Sequence, residues 1–548
     1  SRVASLLGEP VGHTCGYRVG DGEGESGPKT RLLFVTSGWL LTRLSHNPAD
    51  AHKYSHIILD EAHERSCDQD FLCLVLKRLL FRGEGRGGSE ATGTRLVVMS
   101  ATLQSSLFSD YFLSSTSTLP PPPEPPDLDD DDDDDDDASE GDEGMAAATA
   151  STNDGGGGDG DEPIFVGAGR FPVEIVYADD IASGCLGVSD ARMQKTASQV
   201  AEASDREAGA RGGRDVSSPA SAAVRMPHGT PSLIAALCNH VAAPGRCVLC
   251  FLPGVAKIEE VAEAVGLCFA ARSGLVVVHV LHGMLEREEQ DVALALDPDR
   301  CKVVLSTNIA ESSVTLPDVT HVIDAGLCNY VAYDPQRRAP VMVTARASAA
   351  SMRQRSGRAG RVAPGTAIRL ISRAAAALLA PHDPPEMLTS PLEAIVLKSK
   401  VLLSSLGPAE ELLRDALEPP SDARVHDALL SLQRLGAITT DAGEVTPLGA
   451  FAARIPMLDI TRARLLLMAC LDGAPCEGVL VAAALSGGQD VFLAPSAVMC
   501  KTSAEFYAAS MASLRWRRKW DAGRGCDVLA TRAALLAWLA GGPPPAPG

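Results

Sequence analysis

Seven short runs rich in Val, Ile and Leu punctuate the chain, at 55–59, 95–99, 248–252, 276–281, 302–305, 319–323 and 366–371. They are nearly continuous in their apolar character, as strands buried on both faces are. Helical patterns separate them. Strands joined through helices make βαβ units and therefore parallel sheets. From Ala374 onward the period changes. The segments 392–406, 423–435 and 461–471 carry apolar residues spaced near 3.6, the mark of helices. The expected fold is α/β with parallel sheets, followed by a mostly helical region. At roughly 150 residues per domain, 548 residues make three to four domains.

Two stretches break the pattern. Residues 114–162 carry 18 of the chain's 70 Asp and Glu and no Lys or Arg, with an unbroken Asp run at 129–137. Such a segment has too little apolar surface to fold and reads as a disordered insertion. It also explains the net charge of -21: without those 18 acids the remainder carries only -3. The folded part is close to neutral and free to carry local basic surfaces. The second break, about 183–228, is rich in Ala, Ser, Gly and Arg and reads as a second flexible insertion. Fourteen cysteines are scattered without metal-ligand spacing. The single C-x-x-C, Cys247 and Cys250, lies in an apolar run and reads as a core strand. Unpaired cysteines suit a reducing, intracellular compartment, cytoplasm or nucleus. No apolar stretch approaches the ~20 residues that span a bilayer, so no membrane is expected as a partner.

The strand ends carry the chemistry. Ile57-Ile58-Leu59 runs into Asp60-Glu61-Ala62-His63. In nucleotide hydrolases an acid pair in that place serves Mg²⁺ (Asp60) and the attacking water (Glu61). Alone it also fits an acidic loop. Val98-Met99 runs into Ser100-Ala101-Thr102, whose hydroxyls can bond the acids or simply cap a helix. The strand at 302–305 leads into 306–315, rich in hydroxyl and amide donors suited to phosphates of a single strand. In Gln354-Arg355-Ser356-Gly357-Arg358-Ala359-Gly360-Arg361, helical spacing would aim Arg358 and Arg361 the same way, with Gln354 on that face. Paired guanidinium groups suit a phosphoryl group in transfer.

Together and in this order, these segments resemble the DEAH/RNA helicase A family of superfamily 2 helicases. Thr36-Ser37-Gly38, Phe251-Leu252-Pro253-Gly254, Ser390-Pro391-Leu392-Glu393 and Thr446-Pro447-Leu448-Gly449 extend the match. The resemblance implies two RecA-like domains, at 1–113 and 163–372, then a winged helix at 373–447 and part of a helical ratchet at 448–548. It implies ATP or another NTP between the RecA-like domains, with Mg²⁺ at Asp60 and Glu61. Gln354 would position water, and Arg358 and Arg361 would be arginine fingers. Ser100 and Thr102 would couple hydrolysis to RNA grip. Thr36, Ser37, Gly38, Thr307, Asn308 and Thr315 would follow the RNA backbone. Arg2 would stack on the nucleotide base, and His63 and Leu327 would join the nucleotide side. Residues 329–344, with Arg337 and Arg338, look like the strand-separating β-hairpin. The activity implied is ATP-driven 3′ to 5′ unwinding of single-stranded or structured RNA by a monomer open to protein activators.

Three departures qualify the match. The phosphate loop G-x-x-x-x-G-K-[ST] is absent. Gly27-Pro28-Lys29-Thr30 precedes a strand, and its Pro has no N–H to offer. The loop is expected upstream of Arg2, and this chain alone is expected to be inactive. Leu327 stands where the family often has an aromatic residue. The sequence ends within the expected ratchet segment, so part of the RNA channel is expected to be missing from it. Two rivals stay open at this point: an inactive RNA-binding scaffold that keeps the fold, and a DNA helicase, since contacts to the 2′-OH would decide the substrate.

Overall fold

A computed structural model describes residues 2–20, 24–81, 93–100, 105–113, 171–211, 223–269, 274–283, 285, 287–311, 314, 316–334, 337, 339–404, 407–441, 443–455, 458–486, 491–492 and 502–541. Strands β1 (Cys15–Arg18) and β2 (Leu32–Val35) form one parallel pair. Strands β3 (His56–Leu59) and β4 (Arg95–Val98) form another. A six-stranded parallel sheet follows, built from β5 (Val173–Tyr177), β6 (Cys247–Phe251), β7 (Val276–Leu281), β8 (Cys301–Ser306), β9 (Val319–Asp324) and β12 (Gly365–Arg369), in the order β5-β12-β9-β6-β8-β7. Between β9 and β12 runs an antiparallel hairpin of β10 (Leu327–Asp334) and β11 (Ala339–Arg346), with Asn329 opposite Thr344. Among the described residues from Arg373 on, the elements are helices apart from one bridge, Ile438 to Val445.

The six-stranded sheet is buried on both faces, as its apolar runs predict. Every side chain of β6 and β8 is buried. Helices Thr230–Val241 and Val255–Cys268 cover one face, where Leu237 and Val261 meet Val248 and Val303. Leu249, Val304 and Val322 fill the other face. Cys247 and Cys250 sit in β6 as core residues, and Cys250 Sγ lies 3.7 Å from that of Cys238. The first four strands depart from the expectation of two-sided burial. Ile57 and Leu59 point inward, while Ile58 is 51% exposed and Phe34 50%. Their buried face shares a core with the helical region, where Phe71, Leu74 and Phe112 join Ile395, Val396 and Leu432.

The second expected insertion is corrected. Residues Ala191–Arg211 form a 21-residue helix, and Cys185–Gly187 a 3-10 turn. Met193, Ala197, Val200, Ala201 and Ser204 recur at helical spacing and are all buried. Small residues on that face let the helix lie close, and their Ala and Ser content mimics a linker. The acidic stretch 114–162 lies outside the described residues.

One half-buried ring gives the fold a pH dependence. Burial pushes the His321 imidazole of β9 down to about 4 from its ordinary 6.5, and Arg246 adds to the effect. The unfolded chain therefore takes up a proton between pH 6.5 and 4 that the folded chain refuses, and stability falls as pH drops through that window. His321→Gln is expected to flatten the fall. Denaturation midpoints of both proteins at pH 7 and pH 4.5 check this, and parallel losses would refute it.

Candidate nucleotide and RNA sites at the strand ends

Parallel sheets bind ligands beyond the carboxyl ends of their strands. The segments after β2, β3, β4 and β8 sit there. After β3, Asp60 and Glu61 are exposed, and Asp60 Oδ1 accepts the Glu61 N–H at 2.9 Å. Glu61 adopts a left-handed conformation (φ 51°), as does Arg65 (φ 49°). Non-glycine residues enter that region at a cost and tend to do so at functional sites. His63 Nδ1 lies 3.4 Å from Glu61 Oε2.

Main-chain bonds tie this loop to the end of β4. The Met99 N–H donates to Leu59 and the Ala62 N–H to Met99. Ser100 follows, exposed; Thr102 lies outside the described residues. Arg65 anchors the loop from below. It is buried, donates to both Asp70 oxygens at 2.8 and 2.9 Å, and pairs with Glu418 at 2.7 Å. Glu386 reinforces the joint, accepting from the Cys67 N–H at 2.8 Å and donating its own N–H to Arg65 O. Two residues from the helical region thus hold the acidic loop of the first α/β unit, a tie that sequence reading missed.

The donor segments lie beyond β2 and β8. Thr36 precedes the helix Ser37–His46, and a Cβ on Gly38 would come within 2.8 Å of Asp68 Oδ2. Thr307 precedes the 3-10 turn Asn308–Ala310, with Asn308 exposed. Thr315 and Arg338 lie outside the described residues. Arg2 opens the helix Arg2–Leu6 and is exposed. The hairpin packs over Gly254, where a Cβ would meet Asn329 Nδ2 at 2.7 Å.

Two expectations about the arginine segment and its neighbour need correction. The helix Ala349–Ser356 ends at Ser356 with Gly357 as its cap, so Arg358 and Arg361 lie beyond it and share no helical face with Gln354. Arg358 is buried and donates to Val314 O at 3.2 Å, whereas Arg361 is exposed. Leu327 is buried to 1% exposure at the start of β10, so it presents no surface to a nucleotide base; its carbonyl accepts from Arg355 instead.

Arg355 is the residue the spacing argument overlooked. Fully buried, it donates to Glu311 Oε2 at 2.8 Å, to Asp324 Oδ1 at 3.1 Å and to Leu327 O at 3.1 Å. Burial works against its charge, but the Asp324 and Glu311 carboxylates overcome that and hold it protonated more firmly than an ordinary arginine. Gln354 Nε2 donates to Glu311 O at 3.2 Å. Glu311 therefore fastens the segment after β8 to the arginine segment twice.

Known proteins resemble this chain in sequence and fold. Residues 232–363 match the family described as Helicase conserved C-terminal domain. Over 89% of its length the chain is 30% identical to the DExH-box ATP-dependent RNA helicase DExH1 of Arabidopsis thaliana, and over 90% it is 32% identical to DExH3 of the same plant. The chain belongs to the DEAH/RNA helicase A family. The fold of this DEAH-family chain is also that of the crystal structure of the E. coli DExH-box NTPase HrpB, with a TM-score of 0.61 and 24% identity over 94% of the chain. The chain spans 45% of DExH1 and 38% of DExH3.

Proposed function

We infer that the protein to which this chain belongs is an intracellular ATP-dependent RNA helicase, translocating 3′ to 5′. The single observation that carries this reading is the paired chemistry at the strand ends: exposed Asp60 and Glu61 after β3, and the Gln354–Arg361 segment fastened to the Thr307 segment through Glu311. A scaffold needs neither set. The DExH1 and DExH3 relatives are named ATP-dependent RNA helicases.

The residues fit a magnesium ion with its nucleotide. Asp60 and Glu61 present hard carboxylate oxygens at the surface, and Mg²⁺ takes one or two protein carboxylates and completes its shell with water and phosphate. When bound, that ion neutralises phosphate charge. Glu61 then orients and deprotonates the attacking water, with His63 beside it. Gln354 helps place that water, and Arg361, with Arg358 behind it, stabilises the charge that spreads over the transferred group. Arg2 stacks on the base. Thr36, Ser37, Gly38, Thr307, Asn308 and Thr315 hold the RNA backbone, and Ser100 and Thr102 link that grip to the acids. The hairpin β10–β11, with Arg337 and Arg338, parts the strands. A winged helix and a ratchet domain make up the helical region.

The complete protein, given ATP and magnesium, is expected to displace a strand from RNA duplexes with a 3′ overhang and not from those with a 5′ overhang. RNA binding without RNA-stimulated hydrolysis would leave the scaffold as the correct reading.

A further inference from the structure

We propose that the outward face of the helix Ser503–Trp520 and the turn after it form a binding surface for single-stranded RNA, separate from the strand-end segments. This rests on the RNA reading above but not on hydrolysis. The helix ends in Arg515-Trp516-Arg517-Arg518-Lys519-Trp520, and at about 100° per residue the side chains divide by face. Arg515, Arg518 and Lys519 fall within an arc of about 100° and are exposed. Trp516, Arg517 and Trp520 fall on the other side. Trp516 packs between Phe492 and Trp520, with ring centroids 5.4 and 6.0 Å away. Arg517 is spent on Asp527 at 3.1 Å and on Phe492 O at 3.2 Å. The inner side anchors the helix, and the outer cations are left to the solvent.

The following turn adds a fourth cation. Asp521 is buried and accepts the N–H groups of Gly523 and Cys526, at 2.7 and 2.9 Å. Ala522, Gly523 and Gly525 all have positive φ, a tight bend that sets Arg524 exposed at its tip. Among the described residues none of Arg515, Arg518, Lys519 and Arg524 is in an ion pair. Between Glu505 and Asp527 the only acid is the buried Asp521. In a chain of net charge -21 this is a concentrated positive surface. Cations at a helix C-terminus complement its dipole, but that accounts for the last turn alone and not for Arg524.

Further up the helix, Met511 lies on the same arc, with Tyr507, 70% exposed, and Leu514 along its edge. Tyr507 stands 11 residues before Arg518, about 16 Å along the axis. Phosphate-gripping cations beside an exposed aromatic ring are what a sequence-tolerant single-strand surface requires. An anionic membrane would also meet cations and apolar groups, but the single ring beside four cations favours stacked bases over acyl chains.

The test uses the full chain without nucleotide and a fluorescent 20-nucleotide oligouridylate, titrated by anisotropy at several salt concentrations. Replacing Arg515, Arg518, Lys519 and Arg524 together by Gln is expected to weaken binding at least about tenfold. It should also flatten the salt dependence by about 0.7 in log–log slope for each lost phosphate contact. Tyr507→Ala is expected to weaken binding about fivefold with the slope unchanged. Arg515, Arg518 and Arg524 changed together to Lys, with Lys519 retained, should keep the wild-type slope. If the Gln variant unfolds by circular dichroism, the Arg518→Gln/Lys519→Gln pair gives the same reading with a smaller change. An unchanged slope in a folded variant overturns the surface. Loss of binding to phosphatidylserine vesicles with RNA affinity intact overturns it in favour of a membrane. A wild-type chain that fails to bind RNA at low salt overturns this proposal and the RNA substrate together, whereas failure of hydrolysis in the complete protein touches only the helicase reading.

Discussion

Arg355→Ala is expected to destabilise the six-stranded unit by about 3–5 kcal/mol, the cost of stranding buried charge when one partner of a buried ion pair is removed. The groups left behind set that cost. Asp324 is completely buried at the end of β9, and its Oδ1 accepts from Arg355 and from the Gly326 N–H. Glu311 is mostly buried and bonded to Arg355 Nε. Without the guanidinium, the Asp324 carboxylate keeps one neutral donor in an apolar surround and must either take up a proton or open to water. Arg355→Lys should recover only part of the loss, because one ammonium on a flexible stem cannot reach Glu311, Asp324 and the Leu327 carbonyl in the fork geometry that the guanidinium supplies. Pairing Arg355→Met with Asp324→Asn should recover more, since it removes the stranded charge as well as its partner. Urea denaturation of the four proteins measures these differences. A loss under 1 kcal/mol for Arg355→Ala would mean that the network is solvated and holds nothing together.

That network shows where sequence reading stops. The apolar run of β6 announces its burial because the information is local: five consecutive residues and no polar interruption. Arg355 carries no such sign. Its partners lie 31 and 44 residues away, and only the closure of β9 against the segment after β8 brings them together. The same reasoning covers Arg65, whose partner Glu418 belongs to the helical region. The misreading of Arg358 and Arg361 as one helical face has a local cause. Spacing of three is common to a helix and to a turn, and Gly357 ends the helix between Gln354 and Arg358. Helix Ala191–Arg211 was obscured by composition, since a face of Ala, Val and Ser packs as well as one of Leu when the neighbouring surface lies close. The strand-end positions of Asp60, Thr36 and Thr307 were legible, because an apolar run followed by polar residues marks the carboxyl end of a buried strand whatever the fold around it.

The separation of the two arginines sharpens the second large prediction, made for the complete protein. Arg361→Ala is expected to lower RNA-stimulated ATP turnover by roughly 10³-fold, as loss of an arginine finger does, with thermal stability unchanged because the side chain is exposed. Arg358→Ala should lower turnover and the melting temperature together, because the buried guanidinium also donates to Val314 O and holds the segment after β8 in place. Glu61→Gln should abolish turnover and spare RNA affinity, since it keeps the shape of the loop after β3 and removes only the carboxylate that takes the proton from water. The three variants separate chemistry from architecture. A structural role for Arg361 predicts a turnover loss below tenfold that tracks its melting temperature. A catalytic role predicts a deficit that persists in the fully folded protein and reaches the same floor at saturating ATP, because a finger that acts only on the transition state leaves KM near its original value while kcat falls.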